Sequence, residues 1–376
     1  MNEDKSARYH RLKRRAGLAS AMMTAAVLGG LLLSGASAAL AGAARAMAPR
    51  PVVSVALYVL ILAAALEAVA FPLVFYRNFL LERRYGLSSG PARRWMRDYV
   101  KASLLGLALG LLGVETVYLL LIASPSWWWL LSSGLFICAL AVVANLAPVV
   151  LLPLFYTFRP LEHDSLRARL VALSARAGVP VLGIYEWAVG DKTHRANAAL
   201  VGTGRTRRII VSDTLLAAYS EEEIEVIMAH ELGHHVHRDI LVALGAESVL
   251  VLAAFFAAAC ALNASWRSLG LTAPADIAGL PLLLLAGGGV MRAATPLANG
   301  LSRRNERRAD RYALALTGQP AAFISAMKRL GAQNLAEENP SRLVLWLFHT
   351  HPPVSQRIEA ARRHVPRARC HVQPDR

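Results

Sequence analysis

Apolar positions in this chain gather into six long runs, and polar positions fill the segments between them. The runs cover residues 18–41, 52–76, 104–123, 127–154, 240–262 and 277–298, each meeting the roughly 20 mainly apolar residues that one helical crossing of a bilayer needs. The first run follows a basic stretch and ends in small residues near 34–39, which is also the layout of a secretory signal; its length favours a retained helix. Between the third and fourth runs stand only Ser124, Pro125 and Ser126, a tight hairpin. Trp127, Trp128 and Trp129 follow, where an interfacial aromatic anchor is expected. From residue 157 to 239 the pattern becomes that of an α+β unit. An amphipathic helix is predicted near 165–177, stopped by Gly178 and Pro180, with strands at 181–186, 197–201 and 208–211. After the sixth run, from Ser302 onward, the chain is polar and helical in pattern, with Pro320 opening one helix and Pro352 and Pro353 preceding another.

Composition sharpens this reading. In 376 residues, 55% hydrophobic content and a mean hydropathy of +0.40 exclude a set of water-soluble domains and place the chain among integral membrane proteins. A net charge of +16 would ordinarily raise nucleic acid as a partner. Here Lys and Arg concentrate in the N-terminus and in residues 77–101, 159–238 and 303 onward, while the intervening loops carry only Arg45, Arg50 and Arg267. Alternate crossings put the four basic segments on one side, the cytoplasm by the positive-inside rule, and no nucleic-acid module stands out. The three cysteines, Cys138, Cys260 and Cys370, suggest neither a disulfide framework nor a zinc site. No internal repeat is visible. Glu67, Glu115, Glu247 and Arg292 fall inside the spans, where they either form buried pairs or line a polar cavity.

The chemistry centres on residues 229–237, AHELGHHVH. On a helix, His230 and His234 share one face a turn apart and can hold one Zn²⁺, while Glu231 sits beside the metal as a general base. Ser220 and Glu223 supply a capping box at the start of that helix, so the helical premise has its own support. His235 and His237 are rival ligands, but they face away from the His230–His234 line. A third ligand is needed. Glu306 and Asp310, four apart after the sixth run, can ligate and orient a ligand imidazole respectively; the alternative is a solvated charged helix. His351, before two prolines, reads equally as a loop histidine, and Asn197 as a strand-end or turn residue.

Several motifs then carry a resemblance: residues 79–86 (FLLERRYG) with Trp95, Asp98 and Tyr99; 158–161 (FRPL); 196–198 (ANA); 207–216 (RRIIVSDTLL); 230–234; 305–310; and 350–353 with Arg357. In this order they resemble the type I CaaX prenyl protease family of multi-spanning zinc metalloproteases, from about residue 76 to 357. The resemblance implies that His230, His234 and Glu306 bind one zinc ion, that Glu231 is the base and that Asp310 supports a ligand. It also implies that His351 helps stabilise the oxyanion, that the strand bearing Asn197, with Arg357, holds substrate, and that a water-filled chamber accounts for the ionisable residues in the spans. This chain departs from eukaryotic members in having six spans rather than seven, in lacking their insertion before the zinc helix, and in placing Ala198 and Ala199 after Asn197 where relatives often carry an aromatic residue. Its short, Ala- and Arg-rich form suggests a bacterial member, for which a prenylated substrate does not carry over.

The sequence therefore leads to a mainly α multi-pass membrane protein with a zincin-like α+β metalloprotease part. Its expected segments are a basic tail (1–17), four spans with a cytoplasmic loop at 77–101 (18–157), a catalytic part (158–239), two spans (240–300) and a C-terminal catalytic part (301–376). The expected activity is zinc-dependent hydrolysis of peptide bonds in peptides or membrane proteins, in a bacterial inner membrane with the site facing the cytoplasm. No nucleic acid and no obligate protein partner are expected. An HtpX-like quality-control protease and, in a different class, a metal-binding transporter are the alternatives. Glu231 discriminates against the transporter, which has no evident use for a carboxylate beside a histidine pair.

Overall fold

The computed structural model describes residues 4–202 and 206–364; the side chains of Pro148 and Val149, and the tail with Cys370, lie outside the described set. Six helices in it are long and apolar enough to cross a membrane, one for each predicted run. The first run is not one helix, however. Helix α1 spans Lys5–Leu33, Gly35 takes a left-handed conformation (φ 76°), and a second helix, α2, covers Ala36–Met47. The left-handed glycine turns the chain back on itself. There Ser37 donates to the Ala278 carbonyl (2.6 Å) and meets the Tyr58 hydroxyl.

Helix α3 (Pro51–Arg84) carries a π-helical turn at Tyr76–Leu80, α4 spans Ala92–Ala123, and α5 spans Trp128–Leu146. Segment 77–101, expected as a loop, is thus largely helical, and only residues 85–91 connect two spans that extend past the apolar zone. Leu112, Val249 and Leu297 are each about two-thirds exposed or more, an outward apolar surface that suits lipid and not water. Between the helices, Leu28, Tyr58, Leu62, Tyr118, Leu121 and Leu262 form a buried cluster.

The polar part opens with a strand that the pattern did not announce, β1 (Thr157–Pro160), followed by helix α6 (Asp164–Arg176). Strands β2 (Gly183–Ala188), β3 (Ala198–Val201) and β4 (Arg208–Ser212) complete a sheet ordered β1-β2-β4-β3, with β2 and β4 parallel and the other pairs antiparallel. Strand β3 is an edge. After the short α7 (Asp213–Ala218) comes α8 (Glu221–Val236), which begins with both bonds of the expected capping box: Glu223 N–H to Ser220 Oγ (3.3 Å), and Ser220 N–H to Glu223 Oε2 (3.0 Å). Arg238, at φ 56°, separates α8 from the spanning helix α9 (Asp239–Ser265).

Helix α10 (Leu280–Thr317) is continuous, so the sixth span and the Glu306–Asp310 pair belong to one rod. The expected boundary at 300/301 lies inside it. Gly233 makes the α8–α10 crossing close, because a Cβ there would stand 3.1 Å from the Ala309 Cα. Helices α11 (Pro320–Gln333), α12 (Arg342–Phe348) and α13 (Val354–His364) close the polar part. Its core packs Leu170, Leu173, Ile209, Val211, Met228, Leu232, Ala313 and Phe323.

Candidate metal centre

Two helices set the site. On α8, the capping box fixes the start, and its apolar face (Val226, Met228, Ala229, Leu232) is buried against the sheet and α10. Burial of that face sets the rotation of the helix, which turns His230 and His234 together toward α10. Their Nε2 atoms approach to 3.2 Å. From α10, Glu306 brings Oε2 to 3.4 Å from His230 Nε2 and Oε1 to 3.4 Å from His234 Nε2. One ligand atom from each of the three residues falls within 4.8 Å of the others.

The other ring nitrogens are engaged outward. His230 Nδ1 lies 2.9 Å from Asp310 Oδ1, and His234 Nδ1 lies 2.8 Å from Asp239 Oδ2. A carboxylate at Nδ1 holds the proton on that nitrogen, so each Nε2 presents a lone pair to the same point as the Glu306 carboxylate. Converging lone pairs repel unless a proton or a cation lies between them. Consistent with that demand, burial alone would lower the His230 pKa, yet the neighbouring Asp310 and Glu306 carboxylates push it up to about 9. Glu306 Oε2 is buried and accepts no hydrogen bond among the described residues, although His351 Nδ1 is 2.9 Å away. Two imidazoles and a carboxylate are a donor set that suits zinc, so these residues fit the expected metal.

Each supporting carboxylate has its own arginine. Arg357 grips Asp310 through Nη2 (2.5 Å) and Nε (2.9 Å), and Arg308 bonds Asp239. Asp239 is the participant that sequence reasoning missed. Its signal was faint: an acid five positions past His234, opening what reads as a span. Arg357, read as substrate-binding, has its guanidinium bonded to Asp310 and stands 3.9 Å from Glu306 Oε2, beside the candidate ligands.

Glu231 lines a cavity of about 500 Å³ together with His230, Glu306, Asn197, Ala198 and His351. Burial raises the pKa of its carboxyl, partly opposed by His230 and His234, which suits a group that must take up a proton. Asn197 stands at the head of β3, held by reciprocal bonds with Ser212 (Asn197 N–H to Ser212 Oγ and Ser212 N–H to Asn197 O, both 2.9 Å). Among the described residues the outer edge of β3 has no partner strand. His351 is 64% exposed at its side chain. His235 and His237 are not part of the cluster; both are half-buried, and the His237 ring meets the Gly233 carbonyl (2.7 Å) and the edge of Tyr312.

Of the four ionisable residues in the spans, Glu247 shares a second cavity, about 360 Å³, with His234 and Asp239. Glu67 bonds the Tyr99 hydroxyl, Glu115 keeps a buried Oε1 that has no hydrogen-bond partner among the described residues, and Arg292 is exposed. Among the described residues no ion pair joins any two of them.

A model of peptidase family M48 matches residues 160–365, and one described as the CAAX prenyl protease N-terminal part, with five membrane helices, matches residues 2–157. The chain belongs to peptidase family M48. The uncharacterized metalloprotease YhfN of Bacillus subtilis is 28% identical, over 88% of this chain and 78% of its own. The probable CAAX prenyl protease 1 of Schizosaccharomyces pombe is also 28% identical, over 78% of this chain and 62% of its own. The crystal structure of S. mikatae Ste24p shares the fold, with a TM-score of 0.84 at 22% identity over 95% of this chain and 88% of that one. An M48 peptidase with these helices is a multi-pass membrane metalloprotease, whose substrate is a peptide or protein. The transporter alternative loses its ground. The N-terminal match sets this member with the CaaX type.

Proposed function

We propose that the protein is a zinc-dependent endopeptidase of the cytoplasmic face, with His230, His234 and Glu306 holding the metal. The observation that carries this reading is the convergence of those three donors beside Glu231, on a cavity bordered by an unpaired strand edge. Bound there, zinc would supply Lewis acidity that polarises the scissile carbonyl and acidifies water. Glu231 takes the proton from the attacking water and returns it to the leaving amine. A peptide laid along β3 from Asn197 gains main-chain hydrogen bonds in strand fashion, and Ala198 and Ala199 leave room for large side chains beside it. His351, exposed on its loop, can swing from Glu306 to the developing oxyanion.

Arg and Lys segregate toward the side that carries the site, which supports a cytoplasmic site and, in a bacterial member, an inner-membrane location. The CAAX prenyl protease relatives act on what their names state. For this chain the proposed substrates are peptides or membrane proteins reaching β3 from the cytoplasm. The test is Glu231→Gln in the full-length protein: zinc content by metal analysis should stay near one per chain while peptide hydrolysis, followed by mass spectrometry, falls by at least about 10²-fold. Hydrolysis at the wild-type rate would remove the mechanism, and loss of zinc would make Glu231 a ligand.

A further inference from the structure

The first turns of α1 are not a loose basic tail. Tyr9 is fully buried, its hydroxyl 2.5 Å from Glu82 Oε1 and 2.8 Å from both Lys13 Nζ and Arg195 Nη2. Arg195 also grips Glu82 (2.8 Å) and lies two residues before Asn197. That anchor fixes the rotation of α1. It presents His10 and Arg14, one turn apart, to the cavity that holds His230 and Glu231.

Opposite them stand Glu337 and His349. Glu337 accepts from Arg14 Nη1 (2.5 Å), and His349 Nε2 lies 3.2 Å away. His349 is itself fixed, because its carbonyl accepts from the buried Arg303 (2.6 Å). His10 is fixed by its bond to the Leu335 carbonyl (2.8 Å). Burial lowers the pKa of both histidines and favours their neutral forms, so Arg14 is the cation that faces Glu337 at this part of the cleft. Of the five N–H donors of Arg14, those facing Glu337 are used, and the rest have no protein partner among the described residues.

We infer that Arg14 recognises a carboxylate of the bound peptide, with His10 walling the same part of the cavity, and that the N-terminal helix is thereby part of the substrate cleft. This rests on the peptidase reading above. A guanidinium already oriented by Glu337 offers its free edge to a carboxylate without the entropy of ordering a long side chain. The carboxylate comes from the peptide C-terminus or from an Asp or Glu side chain.

The test measures binding and hydrolysis separately. Fluorescent hexapeptide mixtures of one composition are made with a free C-terminal carboxyl, with a C-terminal amide, and with the amide plus one internal Glu. They are titrated by anisotropy against full-length Glu231→Gln protein in detergent. One of the two carboxylate forms should bind about tenfold tighter or more than the plain amide, and which one does so identifies the source. Adding Arg14→Gln should abolish the gap and leave amide binding and zinc content unchanged, Arg14→Lys should restore part of it, and Glu337→Gln should widen it by removing the competing acid. Equal binding of all three forms to protein with Arg14 intact would overturn the inference, as would a gap that survives Arg14→Gln. If Arg14→Gln does not fold, a gap that Glu337→Gln leaves unchanged would overturn it too. Wild-type protein is assayed on the same mixtures. No hydrolysis alongside an intact binding gap would strike the peptidase reading and leave the carboxylate site standing.

Discussion

The two histidines of the site are built alike and supported differently. Each has a carboxylate on Nδ1 and an arginine behind that carboxylate. On the His230 side, Asp310 comes from α10 and Arg357 from α13, and the side chains of all three are 7–13% exposed. On the His234 side, Asp239 follows five residues later in the same stretch of chain, with its own side chain buried but His234 at 26% and Arg308 at 34% exposure. The first chain of contacts ties three distant segments together in a low-dielectric setting. The second draws on two segments, residues 234–239 and Arg308 on α10, and is partly wet. A charge pair inside such a setting interacts more strongly and is costlier to break than one near water, so the two halves of one site should not respond equally to the same injury.

The largest effect should come from removing what both halves share. Glu306→Ala leaves two imidazoles without their bridging carboxylate, and it should lower zinc content below detection and abolish hydrolysis. Full zinc by metal analysis in that variant would sink the ligand set. Next comes the comparison itself. Asp310→Ala should weaken zinc binding by about 10- to 100-fold and, by leaving buried Arg357 unpaired, cost about 3–5 kcal/mol of stability. Asp239→Ala should fall near the lower end for zinc, about tenfold, with little loss of stability because Arg308 can turn to solvent. Competition with a chelator and thermal unfolding measure both, and equal losses would erase the distinction between the halves. The smallest effects sharpen its limits: Arg308→Ala should cost less than about 1 kcal/mol, and His235→Ala and His237→Ala should leave zinc and hydrolysis nearly unchanged.

Much of this was legible along the chain because it rests on local periodicity and short spacings. The six spans are long apolar runs, and the metal helix is announced by Ser220 and Glu223 and by two histidines four apart. The family match bears out the reading of a membrane metalloprotease of the CaaX type. Strand β1 escaped because four residues, one of them proline, carry almost no periodic signal, and it forms by pairing with β2. The helical course of residues 77–84 escaped because its charges read as a loop, whereas in the structure Leu81 and Tyr85 pack against Tyr9.

By itself, the sequence determined which helices cross the bilayer and which side chains could meet a metal, since a helix fixes the relation of positions three and four apart whatever surrounds it. Tertiary structure alone decided how those groups are supported. Asp239 and Arg308, the turn of Arg357 toward Asp310, and the place of His10 and Arg14 on the cleft all depend on how separate helices cross. Gly233 permits the α8–α10 crossing to be that close. Such crossings are fixed by the packing of many side chains far apart in the chain, and no short stretch of sequence contains them.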